Sequence, residues 1–242
     1  MRAKFRSSTA RKGRNIGVSD GTLAYLADPH SVVCMAHGSM THESVLLRTK
    51  TGLELAVRPL RAGDRELLVR GFDELSNEGR YKRFFTPMPE LSGPMLDRLV
   101  GMDQQSHIAL GAVDPTRDIS TGGHGVGVVR AIRSNHDPAR AELAITVVND
   151  YQHQGVGAML IAALAAAALS RGILTFDADI LATNRPMKAL IRHLGGTIEP
   201  VPDDRTIVRA HLQCATAASR LRSDAREHLS RLFDLASADL QA

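Results

Sequence analysis

The chain has 242 residues, 43% of them hydrophobic, with a formal net charge of +4 and two cysteines. That is apolar material for one substantial core and too few thiols for a disulfide framework or a cysteine-based metal cluster. Six of the basic residues (Arg2, Lys4, Arg6, Arg11, Lys12 and Arg14) fall in the first fourteen positions, so the body of the chain is slightly acidic, and the overall positive charge argues little for a nucleic-acid surface.

No apolar run reaches the roughly 18 to 20 residues of a membrane span, and the basic arm has no apolar stretch behind it to make a secretory signal. Cys34 and Cys214 stand far apart, as suits a reducing cytoplasm, which is the expected location. Residues 1–52 read as a basic, disordered arm and a loosely structured lead-in, with short elements near Tyr25 and over Ser31 to Ala36.

Leu53 to Leu60 alternates as a first strand, and Arg61-Ala62-Gly63-Asp64 turns the chain, with Asp64 placed to cap a helix over Arg65 to Leu75. Ser76 caps a second short helix to Phe85, which Thr86-Pro87-Met88-Pro89 stops. Leu91 to Met102 is a third. His107 to Val113 and Gly125 to Ile132 are strands around a long loop from Asp114 to His124. With Ala141 to Val148 they make three successive antiparallel strands.

Asn149-Asp150-Tyr151 then turns, and Gln152 to Gly157 leads into the alanine-rich helix Ala158 to Leu169. Ile173 to Ile180 follows and must return parallel to the strand before the helix. Asn184-Arg185-Pro186-Met187 opens another helix, ending at Leu194-Gly195-Gly196. Thr197 to Val201 and Thr206 to Leu212 are the last strands. Thr216 to Leu240 is helical, its stripe of Leu221, Ala225, Leu229, Leu232, Phe233, Ala236 and Leu240 suited to packing on the domain or to a homodimer contact.

A strand, a glycine turn and a helix make an anion site, because the first amides of a helix lack internal partners and the dipole's positive end lies there. Gly155 and Gly157 remove side chains that would hold a phosphate away. Asn184 follows 27 residues past Gly157. With Gln152, Gly155 and Gly157 in one segment and Asn184, Met187, Leu190, Leu194 and Gly195 in the next, the chain resembles the GNAT family of acyl-CoA-dependent N-acetyltransferases over roughly residues 53–213.

That resemblance implies an α/β (α+β) fold with a mixed, mostly antiparallel sheet of six to seven strands flanked by helices and split in a V between strands four and five. It implies acetyl-CoA as acyl donor, held by backbone groups at Val147 and Val148, by the turn and helix start of Gln152, His153, Gln154, Gly155, Val156, Gly157 and Ala158, and by Asn184 and Met187. Leu75 to Ser92 (LSNEGRYKRFFTPMPELS) is further similar to the bacterial Pat-type protein lysine acetyltransferases. The GNAT domain would then span 53–213, followed by a C-terminal amphipathic helix over 214–242.

Transfer from a thioester to an amine needs the amine deprotonated. A lysine of pKa about 10.4 lies roughly 3.4 units from neutrality, or on the order of 4.6 kcal/mol, so a general base is worth having. Glu142, on the strand before the glycine turn with Ala144 and Thr146 on its face, is the candidate, as the resemblance also implies. The competing role is a structural carboxylate paired with Arg130 or Arg133. Asp179 is the runner-up.

Two departures from the family stand out: Ile191 occupies the position of a frequent tyrosine acid, leaving no general acid to name, and Gln154 that of a frequent arginine. The histidines show no metal-ligand spacing, so no metal is expected. The expected function is N-acetyl transfer to protein lysines in a ternary complex. Small-amine acetylation and a non-catalytic acyl-CoA-binding regulator are the alternatives, and neither membrane nor nucleic acid is an expected partner.

Overall fold

A computed structural model describes residues 32–35, 42–117 and 123–240, the first of these and His42 and Glu43 by backbone alone. The basic arm and the element near Tyr25 lie outside the described residues. Nine strands form one sheet in the order β1-β2-β3-β4-β5-β6-β7-β9-β8. The strands are β1 (Val32–Met35), β2 (His42–Arg48), β3 (Glu54–Pro59), β4 (His107–Asp114), β5 (His124–Arg133), β6 (Arg140–Val147), β7 (Thr175–Leu181), β8 (Thr197–Val201) and β9 (Asp204–Gln213).

All neighbours pair antiparallel except β6 and β7, which are parallel. Seven of the strands are those expected from residues 53–213. The other two, β1 and β2, come from the stretch read as a loosely structured lead-in, and they extend the sheet from its β3 edge. The reason lies in Ser44 to Leu47: Ser44, Val45 and Leu47 are buried, and the turn at Thr49 to Gly52 closes with the Gly52 amide on the Thr49 carbonyl at 3.0 Å.

Helices α1 (Arg65–Asp73), α2 (Asn77–Phe84) and α3 (Gly93–Val100) follow β3, with α1 packed on β5 and α2 on β6. The Ser76 hydroxyl accepts the Gly79 amide at 3.1 Å, as an N-cap should. Asp64 departs from its expected cap role. It is buried, with no side-chain cap bond to the helix; instead its carboxylate takes two 2.7 Å bonds from Arg58 and one at 2.8 Å from the Arg61 amide. A buried carboxylate needs a full set of donors, and the β3 arginine supplies a better one than a helix end.

The hydrophobic centre is α4 (Val156–Leu169), in which eleven of fourteen residues are buried. A helix apolar on every side must be covered on every side. The sheet covers α4 on one side, and α6 (Cys214–Ala218) and α7 (Ser223–Asp239) pack against it as well. The C-terminal segment is therefore two helices with a turn between them. Within it Leu229, Leu232, Phe233 and Ala236 are buried, α7 reaching β2 and β3 as well as α4; Leu240 is exposed. The stripe is thus largely consumed inside the chain. Among the described residues no helix is long and apolar enough to cross a membrane.

Candidate active site

The parallel ladder between β6 and β7 lasts three residues, Arg140 to Glu142 against Thr175 to Asp177. Beyond Glu142 the strands part, while each keeps its antiparallel partner on the far side, β5 for β6 and β9 for β7. A cluster of charges ties the closed end. Arg140 binds Asp177, with Nε on Oδ2 at 2.8 Å, and His211 bridges Asp177 at 2.5 Å and Glu199 at 2.9 Å. Those carboxylates, Glu199 first, raise the His211 pKa against the opposing effect of burial.

At the open end stands the glycine turn. Gly155 is the α4 N-cap with φ 86°, and His153 is also left-handed at φ 62°. Glycine alone takes such a φ without strain, so Gly155 is needed for the turn itself. A side chain at Gly157 would meet Leu190 Cδ2 at 3.1 Å and Ile145 Cδ1 at 3.8 Å. That glycine lets α4 approach its neighbours closely, which differs from the expected role of baring the helix end to a phosphate.

Between these ends lies a cleft of about 640 Å³, lined from β6 by Glu142 to Val147, from β7 by Ala178 to Ile180, and from the turn and α4 by Tyr151 to His153, Gly155, Gly157 and Ala158. The helix α5 (Arg185–His193) contributes Met187 and Leu190, with Asn184 before it. The volume suits a small-molecule site.

The other expected ligand residues fall out as follows. Gln152 and Gln154 turn their amides inward: Gln152 Nε2 donates to the Val147 carbonyl at 3.0 Å, and Gln154 Nε2 to the Asp150 carbonyl at 2.7 Å. Both brace the turn. The Val148 amide is spent on the Val126 carbonyl at 2.9 Å. By the alternation of an antiparallel ladder, Ile145 presents its backbone groups and Val147 its amide to the gap, the Val147 carbonyl being taken by Gln152. Val156 is buried in the core, whereas Ala158 is half-buried against the cleft. Asn184 caps α5, its Oδ1 accepting the Met187 amide at 3.2 Å.

Glu142 is exposed in the cleft, rather than enclosed by the small residues of its strand. Neither expected structural partner engages it. Arg130 is buried, donating to the Leu99 carbonyl at 3.1 Å and to His107 Nε2 at 3.2 Å. Arg133 donates to carbonyls of Pro138 and Arg171 at 2.5 and 2.7 Å. Asp179, in contrast, is held by Arg209 at 2.9 and 3.2 Å.

The cation that does face Glu142 is Arg83 of α2. Burial lowers its pKa, and the Glu142 charge works against that fall. Burial and then Arg83 bring Arg130 down to about 10, and burial and then Arg130 push His107 down to about 4. Sequence reasoning left the arginines of α2 without a role; only the α2 contact with β6 brings Arg83 to the cleft. It also missed Arg48, Thr49 and Lys50, which line the cleft from the β2–β3 turn. The one signal for these was the T-K-T-G turn after an apolar run. Ile191 is fully buried, so the position of the absent tyrosine carries no acid group. Among the described residues no three His, Cys, Asp or Glu side chains gather to hold a metal.

The profile of the acetyltransferase (GNAT) family matches residues 84–195. The acetyltransferase PA5475 of Pseudomonas aeruginosa is 30% identical over 162 residues, covering 65% of this chain and 82% of that protein. The acetyltransferase Pat of Mycolicibacterium smegmatis is 30% identical over 153 residues, 62% of this chain, and the match spans only 43% of the longer relative. Among solved structures, the GNAT domain of S. lividans PAT superposes with a TM-score of 0.64 at 28% identity, covering 70% of this chain and 96% of that one. A cAMP-binding acyltransferase from Mycobacterium smegmatis does so at 0.59, with 20% identity, 82% of this chain and 56% of that one. Profile, relatives and sheet topology agree that this chain belongs to the GNAT family of acetyltransferases.

Proposed function

We propose that the protein transfers an acetyl group from acetyl-CoA to the side-chain amine of lysines in other proteins, with Glu142 as general base in a ternary complex. The observation that carries the reading is the three-residue ladder between β6 and β7. It leaves a gap with unfilled backbone edges, closed beside a carboxylate and open beside a helix start. Six residues of strand separate Val148 from Glu142, about 20 Å at a strand's rise, room for an extended pantetheine arm. The diphosphate would lie on the α4 amides and the thioester near Glu142.

No step here is routed through a side-chain acid. The ammonium's proton passes to Glu142, the nitrogen adds to the thioester carbonyl, and the C–S bond breaks to release CoA thiolate, a fair leaving group that takes up the second proton shed by the nitrogen. The protein-lysine assignment draws support from the likeness to Pat acetyltransferases and from the exposure of Glu142 in the cleft. Incubation of the purified protein with acetyl-CoA and chemically deacetylated cell proteins tests it, read as acetyl-lysine by mass spectrometry. Turnover on small amines alone would move the acceptor to that class, and CoA binding with no turnover at all would make the protein a regulator.

A further inference from the structure

The segment that binds the donor's diphosphate carries no fixed positive charge of its own: from Asn149 to Ala158 there is neither lysine nor arginine. Amides and a helix dipole are left to face two negative charges. The β2–β3 turn packs directly on this segment. Thr51 Oγ1 donates to the Gln154 carbonyl at 3.0 Å, across 103 positions of sequence. A side chain built on Gly155 would lie 3.5 Å from Thr49 Cβ and 3.7 Å from the Lys50 amide nitrogen.

The turn therefore brings Lys50 to the mouth of the cleft, which it lines. The other fixed cations of the lining are engaged. Arg48 bonds the Gly52 carbonyl and approaches Glu54 at 3.8 Å, Lys82 pairs with Glu78 at 2.5 Å, Arg83 faces Glu142, and Arg220 donates to the His193 carbonyl at 3.0 Å. Among the described residues Lys50 has no carboxylate partner.

We infer that Lys50, delivered by the β2–β3 turn, is a binding residue for the diphosphate of the acyl-CoA donor, supplying the charge that the α4 turn lacks. The inference rests on the donor reading above. It assigns the diphosphate rather than the ribose phosphate because the Lys50 backbone lies against Gly155, the N-cap of the helix whose amides hold that group. A flexible ammonium suits the task, acting as a point charge toward phosphate oxygens.

The test is titration calorimetry with CoA and with 3′-dephospho-CoA on wild type, K50A, K50R and K50E. K50A should bind both ligands about tenfold more weakly, the scale of one charge-assisted contact at a partly exposed site. K50E should lose more, K50R should stay near wild type, and the salt dependence of affinity should flatten in K50A. Thermal melting should be unchanged in K50A, since the side chain is exposed. Equal affinity of K50A and wild type for CoA overturns the inference. So does a loss seen with CoA but absent with 3′-dephospho-CoA, which would place Lys50 on the ribose phosphate. A wild type that binds neither ligand overturns the donor reading itself, and is told apart by that first titration.

Discussion

The two glycines of the turn should respond to the same substitution with opposite signs in stability. Alanine at Gly155 must adopt φ 86°, a left-handed conformation that costs an L-residue about 1–2 kcal/mol. The added methyl would meet Thr49 Cβ at 3.5 Å and the Lys50 nitrogen at 3.7 Å, which are ordinary contacts, so packing adds no further penalty. The stiffer unfolded chain returns about 0.4–1 kcal/mol. The net loss is near 1 kcal/mol, or about 2–4 °C in melting temperature for a chain of this size.

Gly157 lies inside α4, where alanine gains up to about 1 kcal/mol of helix propensity. Its methyl approaches Leu190 Cδ2 at 3.1 Å, the end of a flexible side chain that has only to yield by a few tenths of an ångström. G157A should therefore melt at or above wild type, with G155A below it. Both should bind acetyl-CoA more weakly, G155A through a displaced helix start and G157A through Leu190 pressed into the cleft. Differential scanning fluorimetry with and without ligand reads all four quantities. If G155A is as stable as wild type, or G157A is the one that falls, the assignment of turn geometry to one glycine and close packing to the other is wrong.

E142Q should lower kcat by about 100-fold or more, the range for a positioned base, while acetyl-CoA affinity by calorimetry stays within about twofold. The deficit should shrink as the assay pH approaches that of a free lysine amine, about 10.4, and a pH-independent deficit would point to a structural role. His107, held down to about 4 by burial and then by Arg130, stays neutral in the native state where the unfolded chain, titrating near 6.5, takes up a proton. Stability should accordingly fall as pH drops from about 6.5 toward 4: the shift is worth about 3.4 kcal/mol in full, cut to on the order of 2 kcal/mol by solvent screening of this half-buried ring, and urea melts of H107Q should show a flatter profile over that window. F233A should cost about 3–5 kcal/mol, because Phe233 is fully buried and carries the Arg171 guanidinium 4.9 Å from its ring centre; a melting temperature within 3 °C of wild type would show that α7 is dispensable to the core.

Much of this fold can be read from local pattern. The alternation of β3 to β9, the Ser76 cap, the alanine-rich α4 and the two glycine segments all express themselves within a few residues of sequence. What escaped is long-range. The β2 strand looks unremarkable until Val45 and Leu47 are seen under α7, and the Thr51 to Gln154 bond joins residues 103 positions apart. Side-chain direction is the other blind spot. Gln152 and Gln154 sit in the motif as expected, yet their amides fold back on Val147 and Asp150. The Glu142 position was legible from its strand, whereas its exposure and its facing Arg83 depend on how α2 crosses β6.

The short seam between β6 and β7 makes this sheet two plates hinged at one point rather than a continuous blade. Just past β6 the Val148 amide is sheltered by Val126, while the amides of Ile145 and Val147 on the strand look across the gap. Deuterium should thus enter in an alternating pattern along this strand. Any molecule threaded through the seam would have to offer those groups partners, and would erase the alternation wherever it lay.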